Sequence, residues 1–324
     1  MKRIAVLTSG GDAPGMNAAI RAAVRKALHG GCEVFGVEGG YSGLLQGEMH
    51  PMRYEDVGNI IQRGGTILKT ARSTQFPTPD GQAAAMRELE RRNIEGLVVI
   101  GGDGSFRGAQ LLGQKGIKIC GVPGTIDNDI WGTDYTIGFD TACNTVLDAI
   151  NKIRDTASSH KRIVVIEVMG RDSGWIALTT GLAGGAEIVI VPEIPHDLDF
   201  VCDKILRGMR AGKEHSIVVV AEGAAHGFDV AEKLRVSTGY DTRVTVLGHI
   251  QRGGSPSCFD RILGTRLGAA AVDALLSGES NIMVGLVGNQ VATENLDLVV
   301  TQKRGLDVSL YELEAIMAQR MVSL

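Results

Sequence analysis

Ile117-Lys-Ile-Cys-Gly-Val-Pro-Gly-Thr-Ile-Asp-Asn-Asp129 carries an apolar run straight into a hydroxyl and two carboxylates. A continuous apolar run, rather than an alternating one, is what a strand covered on both faces requires. The residues that follow set Thr125, Asp127 and Asp129 two apart. If the chain stays extended, alternate side chains share a face and the three project together. A hydroxyl and two carboxylates at a strand's C-terminal end suit metal and proton work rather than packing. The plainer alternative is a loop whose Asp and Asn residues satisfy turn backbone. A second acidic loop upstream, Gly101-Gly102-Asp103-Gly104-Ser105, favours chemistry.

The same strand-to-loop pattern recurs along the chain. Strands are predicted at Ile4–Leu7, Glu33–Val37, Leu97–Ile100, Ile117–Val122, Ile163–Val168, Glu187–Val191, Ile217–Ala221, Arg243–Leu247 and Val284–Val287. Helices are predicted at Met16–His29, Gly81–Arg92, Thr141–Thr156, Ser173–Gly181, Phe200–Arg210, Asp229–Ser237, Cys258–Leu276 and Leu310–Val322. Such alternation means an α/β protein with mostly parallel sheets and helices on both faces. One sheet rarely absorbs this many units, so two α/β domains are expected, divided near Gly138.

Composition narrows the function classes. At 324 residues and 44% hydrophobic content, the chain can build one or two real cores. A net charge of -4 gives no basic excess for nucleic acid, and 4% aromatic content argues against base stacking. Several of the 44 glycines fall in pairs at strand-to-helix junctions, including 10–11, 101–102 and 253–254. That distribution fits loops that approach a ligand closely. Cys32, Cys120, Cys143, Cys202 and Cys258 lack C-x-x-C spacing, so neither a disulfide framework nor a zinc site is indicated. There is no signal-peptide pattern and no apolar stretch of bilayer length, so a cytoplasmic location is expected, with no membrane and no nucleic-acid partner.

Three constellations could carry chemistry. Thr8-Ser-Gly-Gly-Asp-Ala-Pro-Gly-Met-Asn17 follows the first strand and opens a helix. Gly10 and Gly15 have P-loop spacing, but Met16-Asn17 replaces the Lys-Ser/Thr pair. Backbone N–H groups at a helix start still favour an anion, although a tight turn would need these glycines anyway. In the second, Gly101 to Ser105, Asp103 is a candidate Mg²⁺ ligand and the glycines admit phosphate oxygens. The third is a set of arginines beside glycines and strand ends: Arg72, Arg162, Arg171, Arg243 and Arg252. Each alone is more often a surface ion pair; five together suggest two phosphorylated ligands.

Taken together, L-T-S-G-G-D-A-P-G-M-N-A, R-G-G-T, G-G-D-G-S, P-G-T-I-D-N-D, D-T-A-S-S-H, M-G-R and L-G-H-I-Q-R-G-G-S-P resemble the ATP-dependent 6-phosphofructokinases of bacteria, in family order and spacing, from the first strand to about residue 270. The resemblance implies two Rossmann-like domains with the active site in the cleft between them. An ATP-binding domain would span 1–138 plus about 256–303, and a fructose 6-phosphate-binding domain 139–255 plus about 304–324. The implied activity is phosphorylation of D-fructose 6-phosphate at its 1-hydroxyl with MgATP, the committed step of glycolysis.

Site residues follow by matching position. Asp127 looks like the general base, and Thr125 and Arg171 look like partners of the γ-phosphoryl group, with Arg72 and Gly11 also at the reacting centre. Asp103 looks like the Mg²⁺ residue, with Asp129 nearby. Gly11, Tyr41, Arg72, Ser73, Gly102, Asp103, Gly104 and Ser105 match the ATP site. Thr125, Ile126, Asp127, Arg162, Met169, Gly170, Arg171, Glu222, Arg243, His249, Ile250, Gln251 and Arg252 match the sugar-phosphate site. Arg162 and Arg243 are expected to reach across from a neighbouring subunit, which implies a homotetramer.

Pyrophosphate-dependent members tend to carry an acidic residue at the position of Gly104 and a lysine at that of Gly124, so both glycines favour ATP. Gly174-Trp175, common in pyrophosphate-type and mixed members, pulls slightly the other way. Arg21, Arg25, Arg154, Gly185, Glu187, Lys213 and His215 match the family's effector site for ADP or phosphoenolpyruvate. Ala211 and Glu214 stand where cations are frequent, and Arg53 precedes Tyr54 where an arginine is expected, so an attenuated or altered effector site is predicted. Among rivals, NAD and diacylglycerol kinases share G-G-D-G but lack the D-N-D and H-I-Q-R-G-G segments. A non-catalytic sugar-phosphate binder would need neither Asp127 nor Asp103. A dinucleotide oxidoreductase would need G-x-G-x-x-G after a strand.

Overall fold

The computed structural model describes residues 1–318. Its strands are β1 Arg3–Thr8, β2 Glu33–Val37, β3 Met49–Met52, β4 Gly96–Gly101, β5 Lys118–Thr125, β6 Ile137–Gly138, β7 Ile163–Val168, β8 Ile188–Ile190, β9 Ser216–Ala221, β10 Thr242–Val246, β11 Ile282–Val287 and β12 Gln290–Asn295. Its helices are α1 Met16–His29, α2 Gly40–Gln46, α3 Pro79–Arg91, α4 Asp103–Gly113, α5 Phe139–His160, α6 Trp175–Gly184, α7 Leu198–Arg210, α8 Gly227–Thr238, α9 Cys258–Ser277, α10 Leu296–Thr301 and α11 Val308–Met317. Every strand and helix expected from periodicity forms, with ends moved by a few residues; the predicted last helix beyond 318 lies outside the described residues. Periodicity missed β3, β6, β12, α2, α4 and α10. They are short, or start within glycine-rich loops, or, like β12, are an exposed edge whose pairing partner is set by a Gly288-Asn289 turn with both residues at positive φ.

Two compact units result. The first comprises 1–126, 130–141 and 252–304; the second comprises 127–129, 142–251 and the chain from Gly305. The first is built on a sheet in the order β12-β11-β5-β4-β1-β2-β3, with β6 beside β5. Its interior strands are parallel and its outer pairs, β11–β12 and β2–β3, antiparallel. Leu7, Leu97, Val99, Phe106 and Ile119 pack at its centre. On α9, Gly264 and Gly268 let the helix lie directly on α1: a Cβ at 268 would stand 2.4 Å from the Ala19 carbonyl oxygen. Gly268→Ala must therefore separate two backbones. An apparent destabilisation of about 1–3 kcal/mol is expected in a denaturant titration, and an unchanged midpoint would contradict this packing.

The second unit holds four parallel strands in the order β10-β7-β9-β8. Ile163, Val165, Val218 and Val220 meet Val201, Ile205, Val230 and Leu234 of α7 and α8. Among the described residues, no helix is long and apolar enough to cross a membrane.

Candidate active site

In the first unit, β5, β4 and β1 are adjacent parallel strands, and their C-terminal ends bring three sequence motifs together. This is the edge at which open α/β sheets bind ligands. After β1, Gly10 and Gly15 take φ of 86° and 107°, turning the chain into α1. A Cβ at Gly11 would lie 1.8 Å from Arg252 Nη1, so the guanidinium rests on the glycine backbone. The Arg252 Nε is buried, with no hydrogen-bond partner among the described residues. A phosphate oxygen is the partner such a donor fits.

After β4, the Gly101–Ser105 segment is not the bend expected from its glycines. Asp103 is the first residue of α4, whose N-terminal N–H groups therefore face the strand ends. Asp103 pairs with Arg107 at 2.7 Å. A Cβ on Gly102 would sit 3.5 Å from Thr125 Cβ, so the Thr125 side chain lies over this loop. Nothing stands within 4 Å of a Cβ at Gly104. The Ser105 Oγ is buried, with no hydrogen-bond partner among the described residues.

Asn17, read from sequence only as a departure from the P-loop, is a clamp. Its amide donates to the carbonyls of Arg63 (3.0 Å) and Gly64 (3.2 Å) and accepts from Ile67 N (2.8 Å). Thr8 Oγ1 donates to Lys69 O and Thr70 Oγ1 to Gly10 O, so the segment ahead of Arg72 is stapled to the glycine loop. Arg72 is exposed, and Ser73 Oγ accepts from Phe76 N at 3.1 Å. Tyr41 lies in the core. It is stacked on Phe76 and donates its hydroxyl to Ser105 O at 2.6 Å, and burial pushes its pKa up. It supports the Ser105 turn from beneath.

Thr125, Asp127 and Asp129 do not share one extended face where the chain passes from the first unit to the second. The strand ends at Thr125 and Asn128 adopts φ of 53°, so period-two alternation does not continue. Ile126 and Asp127 are buried and Asp129 half-buried, and the Asp127 carbonyl accepts from Ser173 Oγ at 2.8 Å. In the second unit, the ends of β7, β9 and β10 gather other sugar-phosphate candidates. Met169 N donates to Gln251 Oε1, and the fully buried Gln251 donates back to Gly248 O. Gly170 sits at φ 139° and Arg171 at 53°; the Arg171 amide donates to Glu222 Oε1 at 3.0 Å while its side chain is exposed. His249 and Ile250 are exposed on the 3-10 turn Gly248–Arg252.

Arg162 and Arg243 are not brought to that cluster. Arg162 precedes β7, seven residues from Met169, roughly 20 Å at strand rise. Both arginines pair with Asp241, at 2.6 and 3.2 Å, and the Arg162 bond foremost holds its carboxyl below the usual range.

The effector candidates also fall into groups. Arg154 donates to the Gly184 and Gly185 carbonyls and lies 3.4 Å from His215 Nε2, while Lys213 pairs with Glu187 at 3.4 Å. Arg154, Glu187, Lys213, Glu214 and His215 line a cavity of about 530 Å³. Ala211, with Glu187 and Lys213, lines an adjoining one. In the first unit, Arg21 and Arg25 share a face of α1, and Arg25 lies over the Tyr54 ring at 5.9 Å; Arg53 is exposed.

Gly124 and Gly174 both face packed side chains. A Cβ at Gly124 points to Ile100 and Met16, both at 3.1 Å, so a lysine stem there would enter packed side chains rather than open space. Gly174 and Trp175 are packing residues: a Cβ at 174 would collide with Val191, and Trp175 is buried at the start of α6. Gly104, with open space around it, remains the informative position.

A sequence model described as phosphofructokinase matches residues 3–275. A protein from Halalkalibacterium halodurans named "ATP-dependent 6-phosphofructokinase" is 57% identical over 313 residues, covering 97% of this chain and 98% of that protein. One of the same name from Listeria welshimeri is 54% identical, covering 98% of this chain and all of that protein. Among solved structures, phosphofructokinase from Saccharomyces cerevisiae superposes with a TM-score of 0.87 at 37% identity; 98% of this chain is covered, but only 48% of the yeast chain. A pyrophosphate-dependent phosphofructokinase from Marinobacter aquaeolei shares the fold, with a TM-score of 0.86 at 23% identity.

Proposed function

This chain belongs to the phosphofructokinase family, and on that footing we propose that it transfers the γ-phosphoryl group of MgATP to the 1-hydroxyl of D-fructose 6-phosphate, giving fructose 1,6-bisphosphate and ADP. The observation that carries this reading is the meeting of Gly11 with Arg252 and of Gly102 with Thr125 at three adjacent strand ends, beside the N-terminus of α4. Such an edge suits a polyphosphate, because N–H groups, a helix start and a guanidinium converge there.

Phosphoryl transfer needs alignment and charge neutralisation more than covalent help. In this mechanism Asp127 accepts the proton of the 1-hydroxyl, and the freed oxygen attacks the γ-phosphorus. The bond to the β–γ bridging oxygen breaks, and its electron pair leaves with ADP. Arg171, Arg72 and Arg252 balance the charge that develops on the phosphoryl oxygens, and Thr125 Oγ1 donates to the same group. Met169, Gly170, Glu222, His249 and Gln251 form the sugar-phosphate side.

A Mg²⁺ ion arriving with ATP keeps most of its shell as water and phosphate oxygen, and needs only one or two carboxylates. Half-buried Asp103, beside the open space at Gly104, fits that thin donor set, and Asp129 is the second candidate. When bound, the ion neutralises phosphate charge.

Several wider features belong to the same reading. Arg162 and Arg243, held by Asp241 away from the Met169 cluster, suit a neighbouring subunit's sugar phosphate in a homotetramer. The Arg154–His215 and Lys213–Glu187 group suits a phosphate effector, weakened by Glu214. ADP activation and phosphoenolpyruvate inhibition are accordingly expected to be shallow in a titration, and strong responses would refute the weakening. The proposed location is cytoplasmic, where buried cysteines such as Cys32, Cys120 and Cys202 stay reduced.

The activity is tested by assaying fructose 1,6-bisphosphate with ATP and with pyrophosphate. Product from ATP alone is expected; comparable product from pyrophosphate would overturn the donor. Gly104→Asp adds charge without steric conflict, and should lower kcat/KM for ATP by about tenfold or more, since 1.4 kcal/mol of repulsion suffices.

A further inference from the structure

Asp260, on the first turn of α9, is fully buried and belongs to none of the site motifs. Both its oxygens accept. Oδ1 takes Gly138 N at 2.9 Å; Oδ2 takes Thr141 N at 2.8 Å and Thr141 Oγ1 at 2.5 Å. The direction of the last bond is set by its neighbour, because Ser257 N donates to Thr141 Oγ1 at 3.0 Å and so leaves that hydroxyl's proton for Asp260. Ser257 Oγ in turn accepts from Asp260 N and donates to Asp140 Oδ2. Burial pushes the Asp260 carboxyl up to about 6, still below neutrality. The knot therefore requires a carboxylate, and an amide would turn an N–H₂ against a donor.

The knot lies under two of the proposed reacting segments. Gly138 pairs with Thr125 in the β5–β6 ladder, and Thr136 Oγ1 donates to Thr125 O at 2.6 Å. The Gly10–Gly15 loop rests on the same spot. A Cβ at Gly138 would be 2.6 Å from Ala13 Cβ, and one at Gly15 would be 2.7 Å from Ile137 Cγ2 and 3.2 Å from the Asp260 carbonyl oxygen.

The geometry points to Asp260 as a positioning residue for phosphoryl transfer: through Gly138 it sets the height of Thr125, and with Ile137 it forms the bed of the glycine loop. This inference rests on the function proposed above. Asp260 touches no reacting group, so its effect is on alignment, where a displacement of about 1 Å costs about 10²-fold in rate. The sugar-phosphate cluster of Met169, Glu222 and Gln251 is held by separate bonds in the second unit, so its affinity should be spared.

The test is steady-state kinetics of Asp260→Asn, Thr141→Val and Thr141→Ser with ATP and fructose 6-phosphate, each protein checked by thermal melting. Asp260→Asn is expected to lose about 30–100-fold in kcat with KM for fructose 6-phosphate held within about threefold. Thr141→Val should lose about tenfold in the same pattern, and Thr141→Ser, which keeps the hydroxyl, should match wild type. A folded Asp260→Asn with unchanged kcat, or a kcat loss matched by a parallel rise in KM, overturns the inference. If Asp260→Asn does not fold, equal kcat in Thr141→Val and Thr141→Ser overturns it. Wild type giving no fructose 1,6-bisphosphate is a different result: it removes the proposed function first, and this inference with it.

Discussion

Asp127→Asn is expected to lower kcat by about 10³-fold while KM for ATP and for fructose 6-phosphate moves by less than about threefold. A positioned general base contributes about 10²–10⁴-fold. Asparagine keeps the shape of the side chain and removes its basicity. The bond from Ser173 Oγ to the Asp127 backbone carbonyl is not altered by the substitution. A loss confined to kcat is the mark of an interaction made in the transition state. Stopped-flow or coupled assays of both parameters read it directly. A loss under about tenfold would strip Asp127 of its role as base.

Gly11→Ala should reduce kcat/KM by about 10²-fold with little change in stability. Gly11 has no positive φ, so alanine is tolerated by the backbone; what its Cβ meets, at 1.8 Å, is Arg252 Nη1. That atom ends a flexible side chain, so the guanidinium swings away and the fold remains. The charge proposed to face the phosphoryl oxygens is then misplaced, and misplacement of this size costs about 10²-fold. Arg252→Ala should cost as much or more. The decisive measurement is the double variant. If Gly11 acts through Arg252, Gly11→Ala adds almost nothing to Arg252→Ala; additive losses would show that Gly11 acts by itself.

The elements that determine the fold were largely readable in one dimension. Ile163–Ile166 and Ile217–Ala221 are continuous apolar runs, as expected of strands covered on both faces. The helix over Met16–His29 follows from 3.6-residue spacing of its small apolar residues. The unread pieces fail for local reasons. In α2, positive-φ glycines at both ends hide about two turns of helix inside what looks like a loop. In α4, glycine at 102 and 104 masks a helix that begins at Asp103, and its N-terminus is the feature most relevant to phosphate.

The candidate site divides in the same way. Residue identity and order along the chain were enough to nominate Asp127, Asp103, Arg171 and Arg252, since motifs are local and carry their chemistry with them. Orientation was not legible. Period-two reasoning put Thr125, Asp127 and Asp129 on one face, whereas the left-handed Asn128 turns the backbone between them. The direction of a Cβ at Gly124 depends on where Met16 and Ile100 pack, and no local pattern encodes that. Asn17 was legible only as a departure from the P-loop, and Asp260 belonged to no motif. Their importance lies in bonds to partners such as Ile67 and Gly138, the latter 122 residues away.

For this chain, then, backbone period and motif chemistry were settled by the order of residues, because they arise from neighbours a few positions apart. Which arginine lies on which glycine, which carboxylate is sealed under the glycine loop, and which arginines Asp241 holds apart from the Met169 cluster were settled by the strand order of two sheets. That order is a long-range outcome of burying both faces of each sheet, and it exists only once the chain has folded.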